Sequence, residues 1–102
     1  MPQAEIHKNE LVIPPAAAGD PRATELARVW AAGGEQHVSL ATGLWDDPAE
    51  WGIMLVDLAR HVANAYAETE GRSAAEVLAR IRAGFDAEWG HPTDAPFGGL
   101  LS

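Results

Sequence analysis

Apolar residues recur along the second half of the chain at helical spacing. Trp51, Leu55, Leu58, Val62 and Ala65 with Tyr66 follow one another at alternating steps of four and three, which is one face of a helix. Asp57, Arg60, His61, Asn64 and Glu68 fall on the opposite side. Asp47-Pro48-Ala49-Glu50 supplies a start signal. The aspartate is expected to accept from the amide of the third helical residue, proline fits the first helical position, and Glu50 reaches back to the cap. Gly71 offers a left-handed stop, so a helix of about 23 residues is predicted, roughly 34 Å long. Ser73-Ala74-Ala75-Glu76 opens a second helix. Its apolar stripe is Val77, Leu78, Ile81, Phe85 and Trp89, and Gly90 ends it. Glu76 with Arg80, and Arg82 with Asp86, are spaced for charge pairs on its solvated face.

The stretch from Arg22 to Leu44 admits two readings. Asp20-Pro21 can cap a helix carrying Leu26, Val29 and Trp30 and ending at Gly33. Alternatively, Gly33-Gly34 is a two-residue turn, pairing Ala32 with Glu35, Trp30 with His37, Val29 with Val38, and Ala27 with Leu40. This register gathers Ala27, Val29, Val38 and Leu40 on one face and Leu26, Arg28, Trp30, His37 and Ser39 on the other. A slip of one residue would exchange the faces, so the segregation favours the hairpin. The fold expected is therefore α+β, one β-hairpin packed against two amphipathic helices, the first helix crossing the hairpin with Trp51, Leu55 and Leu58.

Residues 1–21 read as an N-terminal arm, in which Glu10 to Ile13 has the makings of a short strand stopped by Pro14-Pro15. Residues 22–90 form the single domain. Residues 91–102, with Phe97, Leu100 and Leu101, read as a C-terminal tail.

Composition narrows the function classes. The chain has 102 residues, 47% hydrophobic and 22% charged, and no cysteine, so disulfides and thiolate chemistry are excluded. No apolar run approaches a membrane span, no secretory leader is evident, and a cytoplasmic setting is the expectation. Seven basic residues against fifteen acidic give a net charge of −8, with Lys8 the single lysine. An acidic protein of this kind is a poor partner for nucleic acid or anionic membranes.

The blocks Arg28-Val29-Trp30-Ala31, Gln36-His37-Val38-Ser39-Leu40 and Asp47-Pro48, then Trp51-Gly52-Ile53-Met54-Leu55-Val56-Asp57-Leu58-Ala59-Arg60-His61, resemble a family of small bacterial proteins classed as a domain of unknown function. The resemblance extends over about residues 25–93, through Ala87-Glu88-Trp89 and Pro92-Thr93. It implies a short strand pair followed by helices, and brings no reaction, cofactor or partner with it.

Two constellations carry candidate chemistry. Asp57 and His61 stand four apart on one helical face, a spacing that suits a carboxylate orienting an imidazole or two ligands of a metal, with His37 a possible third. The plainer reading is a polar ridge in which Arg60 neutralises Asp57. On the hairpin, Arg28, Trp30 and His37 share a face that can bind a ligand or partner, unless the helices or the arm cover it. No catalytic residue, metal or cofactor is assigned. The expectation is a non-enzymatic protein-interaction or structural module that forms a homodimer and engages an unknown protein partner. The alternative is a small-ligand or metal-binding protein, or an enzyme, using Asp57, His61 and His37.

Overall fold

A computed structural model describes residues 7–91. The first six residues of the arm and the tail from residue 92, with Phe97, Leu100 and Leu101, lie outside the described residues. The elements are α1 (Pro15–Ala18), β1 (Ala27–Ala32), β2 (Glu35–Leu40), α2 (Ala49–Glu70) and α3 (Ala74–Gly90). The class is α+β. The chain divides into two compact units, the first ending at Leu44 and the second beginning at Trp45.

In the first unit β1 and β2 form an antiparallel hairpin with Ala27 opposite Leu40, Val29 opposite Val38, Trp30 opposite His37, and Ala32 opposite Glu35. Gly33 and Gly34 hold φ of 62° and 79°. Positive φ at both central residues is what a two-residue turn needs to match strand twist, and only glycine adopts it without strain. The Ala41 amide donates to the Leu26 carbonyl at 3.0 Å and continues the ladder by one step. The helical reading of residues 22–33 is therefore excluded.

Residues 10–13 form no strand; the sheet holds β1 and β2 alone among the described residues. Two consecutive prolines fix φ and remove ladder donors at Pro14 and Pro15, and the chain turns there into the single helical turn of α1.

The second unit is the helical pair. Asp47 Oδ1 accepts from the Ala49 amide at 2.9 Å, and the Asp47 carbonyl takes the Glu50 amide at 3.0 Å. The Asp47 side chain thus takes the Ala49 amide rather than that of Glu50, which goes to the Asp47 carbonyl instead, and Pro48 needs no acceptor. Ser73 Oγ accepts from the Glu76 amide at 3.2 Å, as its sequence pattern predicts. Gly71 closes α2 in the left-handed conformation, its amide donating to the Ala67 carbonyl at 3.1 Å.

The core of this unit is thin and sits near the connection. Ala63 on α2 and Val77 on α3 are 2% and 4% exposed, and they are the only buried hydrophobic residues among those described. The expected α2 face loses solvent only at its ends, where Trp51 and Tyr66 are half-buried. Ala59, Ala63, Tyr66 and Ala67 are buried or half-buried, whereas Leu55 and Leu58 keep 47% and 51% of their surface exposed. Small alanines let two helix backbones approach closely, while the larger leucines are turned about 100° around the axis. Trp89, assigned to the core by its spacing, is 79% exposed and stacks on Phe85 with ring centroids 5.5 Å apart. No helix among the described residues is long and apolar enough to cross a membrane.

Candidate functional site

Strand alternation brings Arg28, Trp30 and His37 to one face of the hairpin, with Trp30 directly opposite His37 and Arg28 opposite Ser39. That face is not bare. Residues 7–10 fold over it in a tight turn, in which the Glu10 amide donates to the His7 carbonyl at 2.9 Å and the Asn9 amide donates to His7 Nδ1 at 3.0 Å. The turn presents two groups to β1. The His7 ring meets the Trp30 indole edge to face with centroids 5.0 Å apart, and Glu10 Oε2 accepts from Arg28 Nη1.

Arg28 has a second carboxylate. Its Nη2 donates to Glu25 Oε2 at 3.2 Å. The hydrogen bonds that Arg28 donates to Glu25 and then Glu10 raise the guanidinium above its ordinary pKa, which keeps the cation fixed at every working pH. His37 lies farther along the same face, 3.9 Å from Glu35 Oε1 and more than half exposed. Beside Arg28, a depression of about 200 Å³ is lined by Glu25, Ala27, Ser39, Leu40 and Ala41. Pockets that enclose a drug-sized ligand run to ~300–1,000 Å³. Along this face stand a cation, an indole and an imidazole, with residues 7–10 lying on part of it.

The opposite face is apolar and uncovered. Val29, Val38 and Leu40 remain 60%, 44% and 47% exposed. The arm thus sits on the polar and aromatic side and leaves the aliphatic side to solvent.

Asp57 and His61 both project from the exposed surface of α2. Asp57 Oδ1 lies 3.7 Å from Arg60 Nη1, with both side chains nearly two-thirds exposed. That is the solvated ridge the spacing also allowed, and an ion pair this open contributes little to stability. His37 belongs to the first unit, while Asp57 and His61 belong to the second. Among the described residues, no group of three or more His, Cys, Asp or Glu is arranged to hold a metal ion. Trp45, next to the α2 start, meets Trp51 edge to face at 5.1 Å and lids the helix entrance.

Sequence reasoning missed His7 and Glu10 as members of the hairpin face. Their signal is faint: a histidine and a glutamate three apart, upstream of two prolines, with a tryptophan and an arginine two apart on a later strand.

No curated protein matches the chain. A solved structure from the photosynthetic bacterium Rhodopseudomonas palustrus CGA009, provisionally described as a pyruvate dehydrogenase, is similar at 32% identity and a TM-score of 0.70. The match covers 92% of this chain and 96% of that one. Residues 10–93 match the family described as Domain of unknown function (DUF5076), and with most of its length inside that match the chain belongs to this family.

Proposed function

We propose that this protein is a non-enzymatic interaction or structural module that works as a homodimer and engages a protein partner in the cytoplasm. One observation carries the reading: each unit leaves several larger aliphatic side chains in solvent, Val29, Val38 and Leu40 in the first and Ile53, Leu55, Val56 and Leu58 in the second, while the buried core among the described residues is limited to Ala63 and Val77. Contiguous apolar surface of this kind marks protein contact sites in soluble chains. A helical pair of this length with two buried side chains has little to offset its ordering entropy, of order 1–2 kcal/mol per residue, so added burial from association fits the chain's needs. The charge of −8 on each copy opposes association, but salt screens it beyond about 8–10 Å.

Light scattering across a dilution series tests this reading. The expected mass is twice 10.8 kDa at micromolar concentration, and a mass of 10.8 kDa at every dilution overturns the homodimer.

The second reading is a small-ligand or metal site on α2 using Asp57 and His61, favoured by the four-residue spacing that places both on one exposed side of the helix. Calorimetric titration with zinc, nickel and manganese, on the native chain and on His61→Ala, decides it: heat that is lost in the variant supports the site. Oxidation of pyruvate by the purified chain, the activity in the description of the Rhodopseudomonas structure, would overturn the non-enzymatic reading.

A further inference from the structure

A stripe on α2, exposed from Leu55 onward and half-buried at Trp51 where Trp45 meets it, has a pattern of its own. Trp51, Leu55, Leu58, Val62, Ala65 and Thr69 are separated by four, three, four, three and four residues. That is the repeat of a helix seam, in which two helices interlock at every 3.5 residues. Leu55, Leu58 and Val62 are 47%, 51% and 39% exposed. The stripe lies about 100° round the axis from Ala63, so the contact with α3 leaves it free. Thr69 is the one member with a polar side chain, and its hydroxyl donates to the Ala65 carbonyl at 2.8 Å. Its donor is therefore satisfied inside the helix, and the residue can join an apolar seam.

Resting on the homodimer reading, we propose that a second copy of this chain covers the stripe with its own α2 running antiparallel, about a two-fold axis level with Arg60. The sizes along the stripe select this direction. With parallel helices each residue meets itself, so two Trp51 side chains crowd one end while two Ala65 side chains leave a gap near the other. In the antiparallel arrangement Trp51 lies against Thr69 of the second copy, Leu55 against Ala65, and Leu58 against Val62. Every layer then joins a larger side chain to a smaller one, and the seam fills evenly, as close-packed interiors require.

The length of the stripe agrees. From Trp51 to Thr69 it runs about 27 Å. At helix-pair spacing the two copies bury roughly 1,000 Å² in total, the area at which specific interfaces begin.

The test uses the full chain, which has no cysteine of its own. Light scattering and helical circular dichroism are measured for the native chain and for Leu58→Glu. Leu58→Cys is then oxidised alone and mixed with Val62→Cys. The expected results are a native dimer, dissociation of the Leu58→Glu variant raised at least about 100-fold with helicity retained, and a covalent dimer in the mixture only. A monomeric native chain overturns the homodimer reading and this seam with it. A native dimer that Leu58→Glu leaves intact overturns the seam alone. Cross-linking of Leu58→Cys to itself overturns the antiparallel direction. Should Leu58→Glu lose its helicity, the cysteine mixture decides: a covalent dimer there supports the seam and its absence overturns it.

Discussion

Glu10 Oε2 accepts a hydrogen bond from Arg28 Nη1 and so ties residues 7–10 to a strand eighteen residues later in the chain. The tie and the His7–Trp30 ring contact are the two attachments of this turn to β1. Both are partly open to water, so they position the segment rather than sustain the fold.

Glu10→Gln is therefore expected to loosen the turn without unfolding the hairpin. The indole proton resonance of Trp30 should shift and broaden in a nuclear magnetic resonance spectrum, while the thermal midpoint stays where it was. A fall in midpoint of many degrees would show that the segment is part of the core.

The turn glycines are a sharper liability. Gly34→Ala places a Cβ at φ of 79°, a region that costs an ordinary residue about 1–2 kcal/mol. Urea unfolding should report a loss of that size. Gly33→Asn should cost less, since asparagine tolerates the left-handed region.

Ser73→Ala removes the acceptor of the Glu76 amide and is expected to cost about 1 kcal/mol by the same measurement. Asp47→Ala should cost a similar amount by exposing the Ala49 amide.

Val77 is the largest side chain in the buried part of the helical pair, and Val77→Ala should destabilise it by about 1–3 kcal/mol. Phe85→Ala, half-exposed toward the far end of α3, should cost far less within a single copy. Hydrogen exchange along α2 and α3 separates the two: protection near the connection falls in the first variant and persists in the second.

Much of this architecture is legible in the chain itself. Two glycines flanked by alternating residues specify one register, and that register is the observed one from Ala27–Leu40 to Ala32–Glu35. Ser73 and Gly71 mark their helix ends by chemistry that acts within four residues. Misreadings arose where the deciding contact is distant. Leu55 and Leu58 are the more hydrophobic choice for a core, yet the helices meet through Ala63 and Val77, because close approach depends on the partner's shape and not on the hydropathy of one helix. Arg28, Trp30 and His37 fall on one face by strand alternation alone. Of the covers the pattern left open, the arm is the one seen on that face, held by His7 and Glu10 across a span with no periodicity to announce it.

The four tryptophans stand in three different settings: Trp30 against a histidine ring, Trp45 edge-on to Trp51, and Trp89 stacked on Phe85 in solvent. Two indoles held 5.1 Å apart couple their electronic transitions and give a paired circular-dichroism band that a lone indole lacks. Trp30 reports on its contact with the His7 ring, and Trp89 is open to a dissolved quencher. The hairpin, the start of α2 and the end of α3 thus each carry a native optical reporter, and their unfolding can be followed separately in unlabelled protein.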